Sequence, residues 1–159
     1  MNLPVMADTG ALTDELIQHL QVALGTTEND PLVGDGVAPK NVGPLTGQPG
    51  TSIFRPYVVL VDMGAVPRAL ALNSPIPVWA TNWSLRSFGG SRQQVSWMAT
   101  AARRAVAGFT HHQFGTDPIW KVIGQEWPAL GGATRVDATD PKNWQIFDTV
   151  CLLCDRSTS

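Results

Sequence analysis

The stretch 76-IPVWATNWSLRSFGGSRQQVSWMATAARRAVAG-108 decides the fold. Its first half alternates. Trp79, Thr81, Trp83 and Leu85 share one side of an extended chain, and Val78, Ala80, Asn82, Ser84 and Arg86 share the other. Successive strand side chains point to opposite faces, so residues 76–88 are expected to form a long strand with a core face and a wetter face. Gly89-Gly90 breaks that strand, and the period then becomes helical. Val95, Met98, Ala99, Ala102, Ala105 and Val106 make one apolar stripe. Ser91 is placed to cap this helix, Gln94 stands where a capping box uses Glu or Gln, and Gly108 is a natural stop. Burying Val95, Met98 and Val106 would contribute about 5–9 kcal/mol, which makes the helix a core element packed on the sheet.

Upstream, Thr13 reads as an N-cap with Asp14 and Glu15 in the first turn, where carboxylates suit the helix dipole. Leu16, Ile17, Leu20, Ala23 and Leu24 follow at helical spacing, and Gly25 ends the run. Residues 1–11 read as a flexible lead-in. The segment 26-TTENDPLVGDGVAPKNVGPLTGQPGTS-52 is rich in Gly and Pro and exceeds the usual connector length. It nevertheless carries Leu32, Val33, Val37, Val42 and Leu45. Two readings are open for it: an extended arm folding against a neighbouring subunit, or a disordered segment. Tyr57–Asp62 (YVVLVD) is apolar on both faces and is expected to be a central strand, with Met63–Leu72 a short helical turn or a loop.

Downstream, residues 118–127 read as a strand, 128–132 as a turn and 134–137 as a short strand. The last strand, within Trp144–Cys154, has Ile146, Val150 and Leu152 on one face and Phe147, Cys151 and Leu153 on the other. The order predicts a single α+β domain over 1–159. It would hold a mixed, mainly antiparallel sheet flanked by two main helices, with the long Gly/Pro-rich arm after the first. Two strands are then apolar on both faces while two helices are available to cover them. The remaining cover is expected from the arm or from another subunit.

The chemistry-bearing residues are sparse. Cys151 and Cys154 have C-x-x-C spacing, but on a strand they point to opposite faces, which favours two buried structural thiols over a metal or disulfide pair. His111-His112 with Asp117 could form a small metal or acid–base cluster; solvated loop histidines are the alternative. The nucleophile-elbow, phosphate-loop, zincin and EF-hand patterns are absent. No catalytic, metal-binding or cofactor-binding residue is assigned, and no cofactor is expected. The six tryptophans mostly occupy strand positions of apolar parity, which fits core or subunit packing.

Eleven basic and 13 acidic residues give a formal charge of −2, against the basic excess of nucleic-acid binders. Arg92, Arg103 and Arg104 on one helix read as a solvated face. Only 15% of residues are charged, against about a quarter in ordinary chains, which points toward surface covered by partners. There is no basic, apolar leader at the N-terminus and no run of about 18 apolar residues, so a cytoplasm-like compartment and no membrane partner are expected.

One series of residues resembles a known family. It runs from TDELIQHLQVAL through PLVGDGVAP and GPLTGQPG to RPYVVLVD, then through WSLRSFGGSRQQVSWMATAARRAVAG to a hydrophobic last strand, spanning roughly residues 13–154. It is similar to the tail terminator (tail-completion) proteins of long-tailed siphophages, particularly those of actinobacteria. The order and the Arg-Gln-Gln helix after Gly89-Gly90 are its more specific parts. The resemblance implies a virion protein of the tail and neck, assembled in the host cytoplasm. It implies a homo-oligomeric, hexameric ring that ends tail-tube elongation and offers a surface to the head–tail stopper or connector. DNA would pass through the lumen without sequence-specific binding. The family has no catalytic residues to carry over. Candidate subunit contacts are Leu32, Val33 and Val37 on the arm and Arg86 on the wetter strand face. The alternatives are another neck component (a stopper or adaptor) and, in a different class, a small enzyme using His111 or His112.

Overall fold

The computed structural model describes residues 7–46, 52–68, 78–116, 118–139 and 142–156. Along the chain these form α1 (Thr9–Ala23), β1 (Val33–Asp35), β2 (Gly43–Thr46), β3 (Ser52–Arg55), β4 (Tyr57–Arg68), β5 (Val78–Gly89), α2 (Arg92–Ala107), β6 (Gln113–Phe114), β7 (Trp120–Ala129), β8 (Thr134–Arg135) and β9 (Trp144–Arg156). The class is α+β: two helices on a mostly antiparallel, curled sheet of order β1-β4-β5-β9-β7-β6, with β8 also paired to β9. Among the described strands, the β1–β4 pair alone is parallel. β2 and β3 form a separate hairpin.

The deciding stretch folds as its pattern requires. Trp79, Thr81, Trp83 and Leu85 of β5 are buried beneath the helices. All six stripe residues of α2 are buried. Ser91 Oγ accepts from the Gln94 N–H at 3.1 Å, and Gln94 Oε1 accepts from the Gly90 N–H at 2.6 Å. This box reaches one residue beyond the usual N-cap amide. The two glycines do more than end a strand. A Cβ on Gly89 would lie 2.6 Å from Val95 N, and one on Gly90 would lie 2.5 Å from Phe54 Cβ.

Three expectations are corrected. α1 starts earlier than Thr13: Asp8 is the cap, accepting from the Ala11 N–H at 3.0 Å, and the Thr13 hydroxyl donates inside the helix to Thr9 O at 2.6 Å. Residues 9–11 therefore belong to the helix, and Ala7 is buried before it. The lead-in over 1–6 lies outside the described residues. Secondly, the strand begun at Tyr57 continues to Arg68 in place of a turn at Met63. A bulge between Asp62 and Ala65 absorbs Gly64, which sits at φ +93° with its N–H on Asp62 Oδ1. Residues 69–72 lie outside the described residues.

Of the segment 26–52, β1 pairs with β4, and β2 pairs with β3. Residues 47–51 lie outside the described residues. Thirdly, Arg103 is not a solvated arginine. Its Nε and Nη2 each donate to the fully buried Asp148 carboxylate at 2.7 Å, Nη2 also donates to Gly131 O, and the Gly131 N–H donates to Asp148 Oδ1. This fork ties α2, β9 and the turn after β7 together. The Asp148 hydrogen bond holds the Arg103 guanidinium above its ordinary pKa.

Both helices lie on one face of the sheet. Leu12, Leu16 and Leu20 of α1 and Met98, Ala102 and Val106 of α2 share a core with Val58, Leu60, Trp83, Leu85, Val122, Val150 and Leu152. No helix of the described residues is long and apolar enough to cross a membrane.

Candidate assembly surface

The strand registers place Tyr57, Val59 and Val61 of β4, Ala80, Asn82, Ser84, Arg86 and Phe88 of β5, and Phe147, Thr149, Cys151 and Leu153 of β9 on the helix-free face. Its two ends are built differently. At one end Arg68 Nη1 donates to Glu126 Oε2 at 2.7 Å. These residues stand on β4 and β7, with β5 and β9 between them. In a flat sheet three strand spacings would separate them by about 14 Å, so the sheet curls toward its helix-free face. Val78, Ala80 and Cys151 are buried there with no described helix over them. The expectation that the area left by the two helices needs cover from the arm or another subunit is thus half corrected: at this end Val78, Ala80 and Cys151 are already buried within one chain.

The other end stays open. Four rings cross the strands in a row. Phe54 and Tyr57 have centroids 6.4 Å apart, Tyr57 and Phe88 stack at 4.6 Å, and Phe88 meets Phe147 edge-on at 6.5 Å. Phe147 is 45% exposed. Arg86 completes the row, with its guanidinium carbon 5.0 Å from the Phe147 centroid and its Nε donating to Ser84 Oγ. Around the corner, where β5 hands over to α2, Arg92 and Arg135 both approach the Trp144 ring, at 5.2 and 5.5 Å. This end therefore joins aromatic surface to exposed positive charge. Partial burial pushes the Tyr57 pKa up.

The candidate contact residues separate. Val33 is 4% exposed and Leu32 is half-buried against the same core, so their apolar surface is taken up within one chain. Val37 is 71% exposed. Arg86 lies on the open aromatic end, in register with Val59 of β4, whose other partner is Gly34 of β1. Phe54, Tyr57, Phe88, Arg92 and Trp144 were not singled out as contacts by the pattern. The i, i+2 parity of Arg86 and Phe88 was the available signal.

His111 and His112 splay apart. His111, at φ +71°, donates its N–H to Val122 O, while His112 stacks on Phe109 at 4.2 Å and meets Glu15 Oε2 through Nε2 at 3.0 Å. His19 Nε2 lies 2.8 Å from Ala105 O. His19 and His112 border a cleft of about 410 Å³ with Glu15, Val22 and Glu28. Asp117 lies outside the described residues. Among the described residues no three His, Cys, Asp or Glu side chains are grouped to hold a metal. Cys151 and Cys154 are free, buried and on opposite faces, and burial pushes the Cys154 thiol up to about 12.

No protein-family model and no curated protein matches the chain.

Proposed function

We propose that this chain is a ring-forming structural protein of a long-tailed phage virion, a tail terminator. In the ring each copy covers the open aromatic end of its neighbour's sheet. The observation that carries the proposal is the Phe54–Tyr57–Phe88–Phe147 row with Arg86, surface of interface composition left without a helix. The order of motifs in the sequence supplies the phage assignment. The mechanism is binding alone: a head-to-tail contact repeats until it closes, and the finished ring blocks the growing tube end while offering its other side to the connector. DNA passes through a lumen that does not grip phosphate, which suits a chain of formal charge −2.

The test is the native mass of the purified chain across concentration, with negative-stain images, followed by removal of the gene from its phage. Rings of about six subunits and overlong tails are expected. Tails of normal length with unattached heads would make the chain a stopper or adaptor instead. Stable monomers at all concentrations, together with normal virions, would sink the assembly reading. The enzyme alternative requires that replacing His111 and His112 by Ala produce a phenotype.

A further inference from the structure

Charge is distributed unevenly along this chain. Residues 1–39 hold six carboxylates and no Lys or Arg, whereas residues 40–159 hold all eleven basic residues and seven acids. The fold places part of each set at opposite ends of α2, although Asp30 pairs with Arg55 and Arg104 lies in the last turn of α2. Asp14, Glu15 and Glu28 line one cleft beside α1, and Glu15 is held by His112, just past the Gly108 C-cap. Val22, 76% exposed, borders the same region. Arg92 is the first residue of α2, a helix about 24 Å long. There it shares the Trp144 ring with Arg135. Neither arginine makes an ion pair among the described residues. The nearest acid in sequence, Asp137, is engaged by the Thr139 N–H and hydroxyl. Two guanidiniums drawn to one indole repel each other, and an incoming carboxylate would relieve that repulsion.

We infer that a second copy of this chain seats its acidic end, with Asp14, Glu28 and Val22, on the Arg92–Trp144–Arg135 corner and the adjoining aromatic row. The inference rests on the ring reading above and names its seam. The two patches are unlike, so the contact is heterologous and runs head to tail, the kind that closes into a ring. A two-fold dimer through either patch would set like charges together, so the same charges select against the wrong assembly.

The experiment measures self-association of the full chain by sedimentation at low and at physiological salt. The variants are Arg92→Glu/Arg135→Glu and Asp14→Lys/Glu28→Lys, each checked for native circular dichroism. All four positions are exposed, so folding is expected to survive. Each pair should weaken association at least about tenfold, and salt should weaken the wild type. An equimolar mixture of the two variants should recover assembly, because every seam then alternates sign. Oligomers of unchanged mass and affinity in both variants would overturn this seam while leaving the ring standing. A wild type that is monomeric throughout would overturn this seam, and normal virions without the gene would remove the ring reading as well. Loss of duplex-DNA retention in Arg92→Glu/Arg135→Glu with self-association intact would also overturn the seam, by making the corner a phosphate site.

Discussion

The two faces of the sheet are buried by different means. On one, Trp83, Leu85 and Val150 are enclosed because α1 and α2 lie across them. On the other, Ala80, Ser84 and Cys151 are enclosed because they are small and the sheet curls over them, and beyond the curl the aromatic row stays open. Low exposure therefore means different things on the two sides. The helix-covered face holds the fold together. The open end of the other face contributes little to the monomer and keeps its apolar surface for association.

The largest test of this contrast is Trp83→Ala. It removes a fully buried indole whose Nε1 donates to Thr81 Oγ1 at 2.9 Å, and it should cost about 3–5 kcal/mol in denaturant unfolding. Asp148→Ala should cost about 3 kcal/mol, because it strands the half-buried Arg103 guanidinium and the Gly131 N–H. Restored stability in an Asp148→Ala/Arg103→Met double variant would show that the charge left behind is the cause. Phe147→Ala, on the open end, should cost under about 1 kcal/mol yet weaken self-association. A large loss of monomer stability there would break the comparison.

The smallest effect concerns the curl. Arg68→Ala should expose Cys151 but also removes a charge that holds its thiol pKa down. The several-fold gain in labelling is therefore read with a reagent that does not need the thiolate; Cys154 stays protected until the chain unfolds. The pH dependence has a definite sign. The Arg68 hydrogen bond holds the Glu126 carboxyl below its ordinary 4.5. The clamp is thus fully present above that value and is lost as pH falls through the lowered one. Cys151 accessibility, read by a reagent that works in acid, should rise only on the acid side of that ordinary value.

Sequence reasoning reached α2 and β5 to within a residue or two because capping, period and stop signals all agree there. It misplaced the start of α1 because Asp8 and Thr13 are both good caps, and the acids following Thr13 favoured the wrong one. It ended β4 too early because a Gly in a strand reads as a turn until its bulge is seen. The Arg103–Asp148 fork joins positions 45 residues apart, and the His112–Glu15 contact spans 97. Local pattern holds no trace of either. The aromatic row was visible only as strand parity, since its meaning depends on which face the helices choose.

The docking of α1 onto α2 and β4 also bears on synthesis. Leu12, Leu16 and Leu20 leave the ribosome well before the α2 residues that will cover them. At roughly 5–20 residues per second, this helix waits on the order of ten seconds for its partner. Throughout that interval a ribosome-bound chain exposes an amphipathic segment whose only formal charges are negative. If two such unfinished chains touched, acid would meet acid at short range, a contact disfavoured until the basic half has emerged.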